Sequence, residues 1–532
     1  MGETELHDTD DDAGALNDAE REFEDRLRAS RRRSRVALLL LALALGAGVF
    51  AWLLAPRAYE GLTLLEPVSE HAYTTGGRPS PGTSAQLTFF EHALPTFFIA
   101  LDHDEAPQAA AVALEAEVAE AELPAPVLEA VRTFARACAD ARLSADPALA
   151  PPVQRAAANL NQALAHAELG YYVDAQVMAR RTGTLRVFAQ TFVVEHVGHY
   201  QLGPHRERAL SIRRLDHTNV AQPTLGFTRP EASEGLVQVD RIEEHLVAHL
   251  LPTLAPGVSF RYAEPHVRRS EALTRLEQLA GQVIREELMA ALDEAAGATL
   301  GTTLHARRAL FERWQNLASG REAVFYAPTT YEVDMQQLEP HRWQLDGFQQ
   351  LREAHRVLGE PAIVSAYLRA HTALVRSVER HELQHRFDYR EGVLDTTPAG
   401  LAGTLLPLDV GAPLEGDLRV VVAELSAYCA AMADGPVTKT ELALLTRHLL
   451  GLGGGRRHEA RAGGFLLAEL DAALAPDGPI VGDRPTHHAA RAERLLAVPT
   501  ERLRSTLRML WERWFGRALP VMQSASAAAQ TH

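Results

Sequence analysis

The chain has 532 residues, of which 46% are hydrophobic and 23% charged, so it is too long for one compact domain and too apolar for a disordered or fibrous protein. The formal net charge is −16 and Lys439 is the single lysine, a balance that argues against a nucleic-acid partner. Two cysteines, Cys138 and Cys429, are too few for a disulfide framework and stand in no CxxC pattern that would hold zinc or iron; if they pair, they form one bridge.

Residues 36–55 read VALLLLALALGAGVFAWLLA without a charge, about 30 Å of helix, which predicts one transmembrane span in contact with the lipid bilayer. Arg26, Arg28, Arg31, Arg32, Arg33 and Arg35 precede it, against Arg57 and Arg78 after it, so the N-terminus is expected in the cytoplasm and the rest outside it, in the periplasm if the source is bacterial. A cleaved secretory leader is the alternative. Against it stand the acidic opening around Asp8 and Asp10 to Asp12 and the lack of an A-x-A site after the apolar run. Residues 1–35 thus read as an acidic, then arginine-rich cytoplasmic tail, and residues 56–106 as a tether containing GGRPSPGTS at 76–84.

Residues 107–320 are expected to form a helical region with a small sheet. Alanine-, glutamate- and leucine-rich runs with apolar residues three and four apart predict helix from about 107 to 178. TLRVFAQTFVVEHVGHYQL and RALSIRRLD are β-branched and partly alternating, which predicts strands between 183 and 239. Residues 270–318 read as two long helices, and AVFYAPTTYEVDM at 323–335 as a last strand. From Pro361 to the C-terminus the pattern is helical, interrupted at 398–413, 451–455 and 476–485. The fold class is therefore α+β, predominantly helical, behind one N-terminal membrane helix.

The segment SVERHELQHRFDYREG holds His381, Glu382 and His385 as H-E-x-x-H. Pro361 suits the first turn of a helix, and no breaker follows before the motif. Residues i and i+4 share a helical face, so both imidazoles can reach one zinc ion at about 2.0–2.1 Å, while Glu382 falls beside a metal-bound water as a general base. A solvated helix face with i,i+4 ion pairs would give the same letters. A catalytic zinc also needs a third protein ligand and an open position. Glu424, 39 residues after His385 in DLRVVVAELSAYCAAMADG, is flanked by Val421, Val422, Leu425 and Cys429, where a carboxylate is costly unless paired or metal-bound. Its other reading is a helix-edge acid.

HELQH followed by the ELSAY helix resembles the gluzincin class of zinc metallopeptidases. In that class one helix supplies two histidines and a second supplies a glutamate. The resemblance covers about 323–468 and identifies no particular family within the class. It implies a zincin-like domain over 321–532 with Zn2+ held by His381, His385 and Glu424, Glu382 as the base, and a peptide or protein as substrate. Val378, Leu383, Gln384 and Phe387 fit the pattern around such motifs; Glu379 and Arg386 depart from it. Asp388, three residues past His385, is a candidate acceptor for the outer N–H of a ligating histidine, or a surface acid. Tyr428, four past Glu424, is a candidate oxyanion donor, or ordinary packing. His458 follows a glycine-rich stretch, as a downstream histidine does in some gluzincins, and is the third catalytic candidate. His196, His199, His205, His217, His487 and His488 are assigned to no metal. The expected function is a membrane-anchored, extracytoplasmic zinc peptidase. The competing expectation is a non-catalytic envelope scaffold or sensor with a structural or vestigial zinc site.

Overall fold

The computed structural model describes residues 57–58, 76–102, 107–143, 146–179, 185–216, 224–229, 232–262, 270–314, 347–450, 457–475 and 478–524. The predicted membrane span at 36–55 and the strand expected at 323–335 lie outside them. The expected tether at 56–106 is corrected over its described part: residues 84–102 are helical, with Phe90, Phe97 and Phe98 buried in a core, because their aromatic run needs a partner surface. Among the described residues no helix is long and apolar enough to cross a membrane.

The described residues are mostly helical with a single mixed sheet. Its first helices are α1 (Ser84–Thr88), α2 (Leu94–Asp102), α3 (Pro107–Glu120), α4 (Ala125–Leu143) and α5 (Ala150–His166). Thr83 opens α1 with a reciprocal cap, its hydroxyl accepting from the Gln86 N–H while the Gln86 side chain accepts from the Thr83 N–H. The four longer helices carry apolar stripes onto a core of Phe90, Phe98, Phe134 and Leu160, closed on the other side by the sheet.

The strands are β1 (Arg57–Ala58), β2 (Tyr171–Ala179), β3 (Leu185–Leu202), β4 (His205–Arg214), β5 (Gly226–Thr228), β6 (Glu234–Gln238) and β7 (Met522–Ser524). Their order is β1-β2-β3-β4-β6-β5, with β7 added to the far end of β3. The β4–β6 pair is parallel and the rest are antiparallel. A bulge at Glu195 shifts the β3–β4 register. Strand β2 begins at Tyr171, ahead of the expected 183 and inside the stretch whose pattern predicts helix. Tyr171, Val173, Ala175 and Val177 alternate onto the α4–α5 core while Tyr172 faces the opposite side, a period of two that the neighbouring alanine-rich helices obscure.

After β6 come α6 (Val239–His245), α7 (Glu271–Met289) and α8 (Glu294–Trp314), the last two matching the expected pair of long helices. Then follow α9 (Phe348–Leu358), α10 (Pro361–Arg390), α11 (Gly416–Asp434), α12 (Thr438–Leu449), α13 (Arg457–Leu474), α14 (Pro485–Leu496) and α15 (Thr500–Phe515). One core runs from Val237 through these helices to Leu519, so residues on either side of 321 pack together. Cys138 and Cys429 are both free and buried, the first in the α4 core and the second in the α11 core.

The 30-residue helix α10 is the centre of this arrangement. Pro361 takes its first turn, no glycine or proline interrupts it, and Gly392 at φ +61° ends it. It packs on β4, β5 and β6 on one side and on α11 on the other. From Ser377 to Asp388 it is buried almost all round, so its charged residues need partners. Glu379 accepts from the Tyr200 hydroxyl at 2.6 Å, and Arg380 donates to Asp434 at 3.1 Å and to the Pro520 carbonyl at 2.7 Å. Arg386 lies in the field of Glu207 and Glu234 on the sheet. Glu379 and Arg386, which depart from the apolar pattern of such motifs, are thus inside the protein.

Candidate metal centre

The i,i+4 spacing on α10 stacks His381 over His385, and their Nε2 atoms are 3.2 Å apart. Helix α11 crosses this face. Packing of Val421, Val422, Leu425 and Ser426 into the core turns Glu424 toward the histidines. Glu424 Oε2 is 3.5 Å from His381 Nε2, and Oε1 is 3.9 Å from His385 Nε2. Ligand atoms about 2.1 Å from an ion at the tetrahedral angle lie about 3.4 Å from each other. The two imidazoles have that spacing, and one carboxylate oxygen of Glu424 lies within 4.8 Å of both, near enough for the three side chains to close on one ion. Their side chains are 17%, 9% and 18% exposed, so a fourth corner can be reached from outside. Among the described residues this is the one group of three histidine, cysteine or acidic side chains close enough to hold a metal ion.

Without an ion the cluster polarises its own protons. Burial works against protonating His381, but Glu424 and Glu382 outweigh it and bring its pKa up to about 9. Burial takes His385 down to about 4, and Glu424 offsets only part of this. Glu382, 4% exposed, is pushed up to about 7 by burial, with Glu424 adding to the rise and His381, Thr228 and Arg229 opposing it.

Tyr428 stands one turn beyond Glu424 with its ring edge-on to His381, 5.0 Å between centroids. Burial, then the Glu424 carboxylate, raises its phenol well above the usual range. Asp388 and His458 are engaged elsewhere. Asp388 accepts from Gln384 Nε2 at 2.8 Å, whereas the outer nitrogen of His385, Nδ1, is buried with no hydrogen-bond partner among the described residues. His458 Nε2 is 3.6 Å from Asp417, which precedes Glu424 by seven residues, about 10 Å along α11.

Two contributions came without a signal near the motif. Thr228, at the end of β5, has its hydroxyl 2.9 Å from Glu382 Oε2. Glu441, on the first turn of α12, adds its charge to the field on both His381 and Tyr428. Thr228 lies 154 residues before Glu382, so no local pattern links them; the glycines at 226 and 235 are the trace that the sequence keeps of this close approach. No protein-family model matches the chain, and no match was found among curated proteins or solved structures.

Proposed function

We propose that the chain is a zinc-dependent peptidase of gluzincin type, with His381, His385 and Glu424 as the ligands and Glu382 as the general base. The convergence of two imidazoles and a carboxylate from two helices, at 3.2–3.9 Å, carries this reading. Two nitrogens and one carboxylate form the donor set of a catalytic zinc site, which keeps its fourth position for water. A structural zinc site closes with four ligands, commonly thiolates, and neither cysteine belongs to this cluster.

When bound, zinc supplies a Lewis acid for the scissile carbonyl and brings the pKa of its water toward 7. Glu382 is the group for moving the proton. Buried beside the ligands, it would accept a proton during attack and return it to the leaving amine. Tyr428 keeps its proton and can donate to an oxyanion beside His381. Among the described residues strand β5 ends the sheet order, next to Glu382, which favours an extended peptide pairing along that side. The apolar run at 36–55 would hold this site at the outer face of a membrane, with envelope proteins or peptides as substrates.

Metal analysis and proteolysis on the full-length protein test the reading. One zinc per chain is expected, lost in His381→Ala. Glu382→Gln should keep the zinc and lose hydrolysis of casein. A wild-type chain without zinc, or a Glu382→Gln chain as active as wild type, overturns it.

A further inference from the structure

The hairpin of β5 and β6 is shaped around one side chain of α10. In its register Thr228 faces Gly235, and Gly226 faces Val237. A Cβ on Gly235 would come within 3.0 Å of Glu382 Cβ, and a Cβ on Gly226 within 2.7 Å of Glu382 Oε1. Both strands therefore lack a side chain where Glu382 crosses them. The Thr228 hydroxyl fills the remaining space, 2.9 Å from Glu382 Oε2 and 3.0 Å from the Glu382 carbonyl oxygen. One carboxylate oxygen thus takes the space that a side chain at position 226 would fill, and the other is hydrogen-bonded to the strand's last residue. The next residue, Arg229, is fixed by two hydrogen bonds to Asp174, at 2.9 and 2.7 Å, which anchors this end of β5 to β2.

We propose that Thr228 is the positioning residue for Glu382, holding its carboxylate in the orientation in which it serves as general base. This rests on the peptidase reading. A glutamate side chain has three rotatable bonds, and a misplacement of about 1 Å in a reacting group can lower a rate about 100-fold. Threonine is suited to the task because branching at Cβ restricts χ1 in a strand, so the hydroxyl direction is set by the backbone. Valine keeps that shape and removes the hydroxyl; serine keeps the hydroxyl and relaxes the shape.

The experiment compares full-length wild type, Thr228→Val, Thr228→Ser and Glu382→Gln for zinc content and for hydrolysis of a quenched fluorescent peptide derived from casein. Thr228→Val should retain one zinc per chain, with kcat lowered about 10- to 100-fold and KM within about two-fold of wild type. Thr228→Ser should recover most of kcat. A second measurement needs no turnover. In excess chelator, Thr228→Val should shift the urea midpoint in the wild-type background and leave it unshifted in a Glu382→Ala background. If Glu382→Gln loses hydrolysis while Thr228→Val keeps full kcat, the positioning role is wrong and the peptidase reading stands. If wild type fails to cleave, or Glu382→Gln cleaves as wild type does, both fall. Loss of zinc in Thr228→Val, or equal midpoint shifts in both backgrounds, also overturns the positioning role.

Discussion

Ser426, two residues beyond Glu424, accepts a hydrogen bond from the indole N–H of Trp511 at 3.0 Å, with both residues fully buried. Gln384 of α10 donates to the same hydroxyl at 3.2 Å. One oxygen therefore ties α10, α11 and α15 together directly behind the histidine–glutamate cluster. Replacing Ser426 with alanine leaves the Trp511 N–H buried without an acceptor, which costs about 1–3 kcal/mol. The expected result is a lower urea midpoint at unchanged m-value.

The proposed zinc site predicts that zinc stabilises the fold, because His381, His385 and Glu424 sit on two helices that the unfolded chain does not hold together. At free zinc about 1000 times the dissociation constant, the gain is about 4 kcal/mol. Chelator should lower the thermal midpoint of wild type and added zinc restore it. In Glu424→Ala, which removes the only ligand from α11, neither addition should move the midpoint.

The histidine pair was legible because it is a local pattern: i,i+4 on an uninterrupted helix needs no knowledge of tertiary structure. Glu424 was legible for a different reason, as a carboxylate in an apolar helix. Asp388 was placed from spacing alone, and spacing does not settle which way a side chain turns. Its carboxylate points toward Gln384, one turn back on its own helix. His458 was proposed by resemblance, and in the fold its ring faces Asp417. Strand β2 was missed because its alternation lies beside alanine-rich helices of similar composition. The seat for Glu382 leaves only Gly226 and Gly235 as a trace in the sequence, since it is made by a short hairpin far away along the chain.

Asp388 gives a pH dependence with a definite sign. Burial raises its pKa to about 7, against the hydrogen bonds from Ser426 and Gln384 and the opposing charges of Arg380 and Arg517. In the unfolded chain the carboxyl ionises near its ordinary value, about 3.9. Between roughly pH 4 and 7 the native state therefore holds a proton that the unfolded state has released, so this residue lowers stability as pH rises through that window, by about 1.4 kcal/mol per unit, and adds nothing further above it. Urea midpoints of wild type and Asp388→Asn, compared from pH 4.5 to 7.5, should diverge in favour of the variant as pH rises. A constant difference would mean that Asp388 ionises alike in both states.

Gly235→Ala tests how tightly the metal site depends on the sheet. The added Cβ would lie 3.0 Å from Glu382 Cβ and 3.4 Å from the Glu382 carbonyl carbon, so α10 and β6 must separate by a few tenths of an ångström to admit it. Overpacking of this kind costs about 1–3 kcal/mol. The larger consequence concerns zinc. His381 and His385 travel with α10, whereas Glu424 belongs to α11, which Ser426 fastens to Trp511 on α15. A shift of α10 alone spreads the three ligand atoms, and zinc affinity measured against a competing chelator should fall by more than the loss of stability accounts for. If the variant is destabilised yet binds zinc as tightly as wild type, then α10 and α11 move as one body, and the site is held by their mutual packing rather than by the sheet beneath.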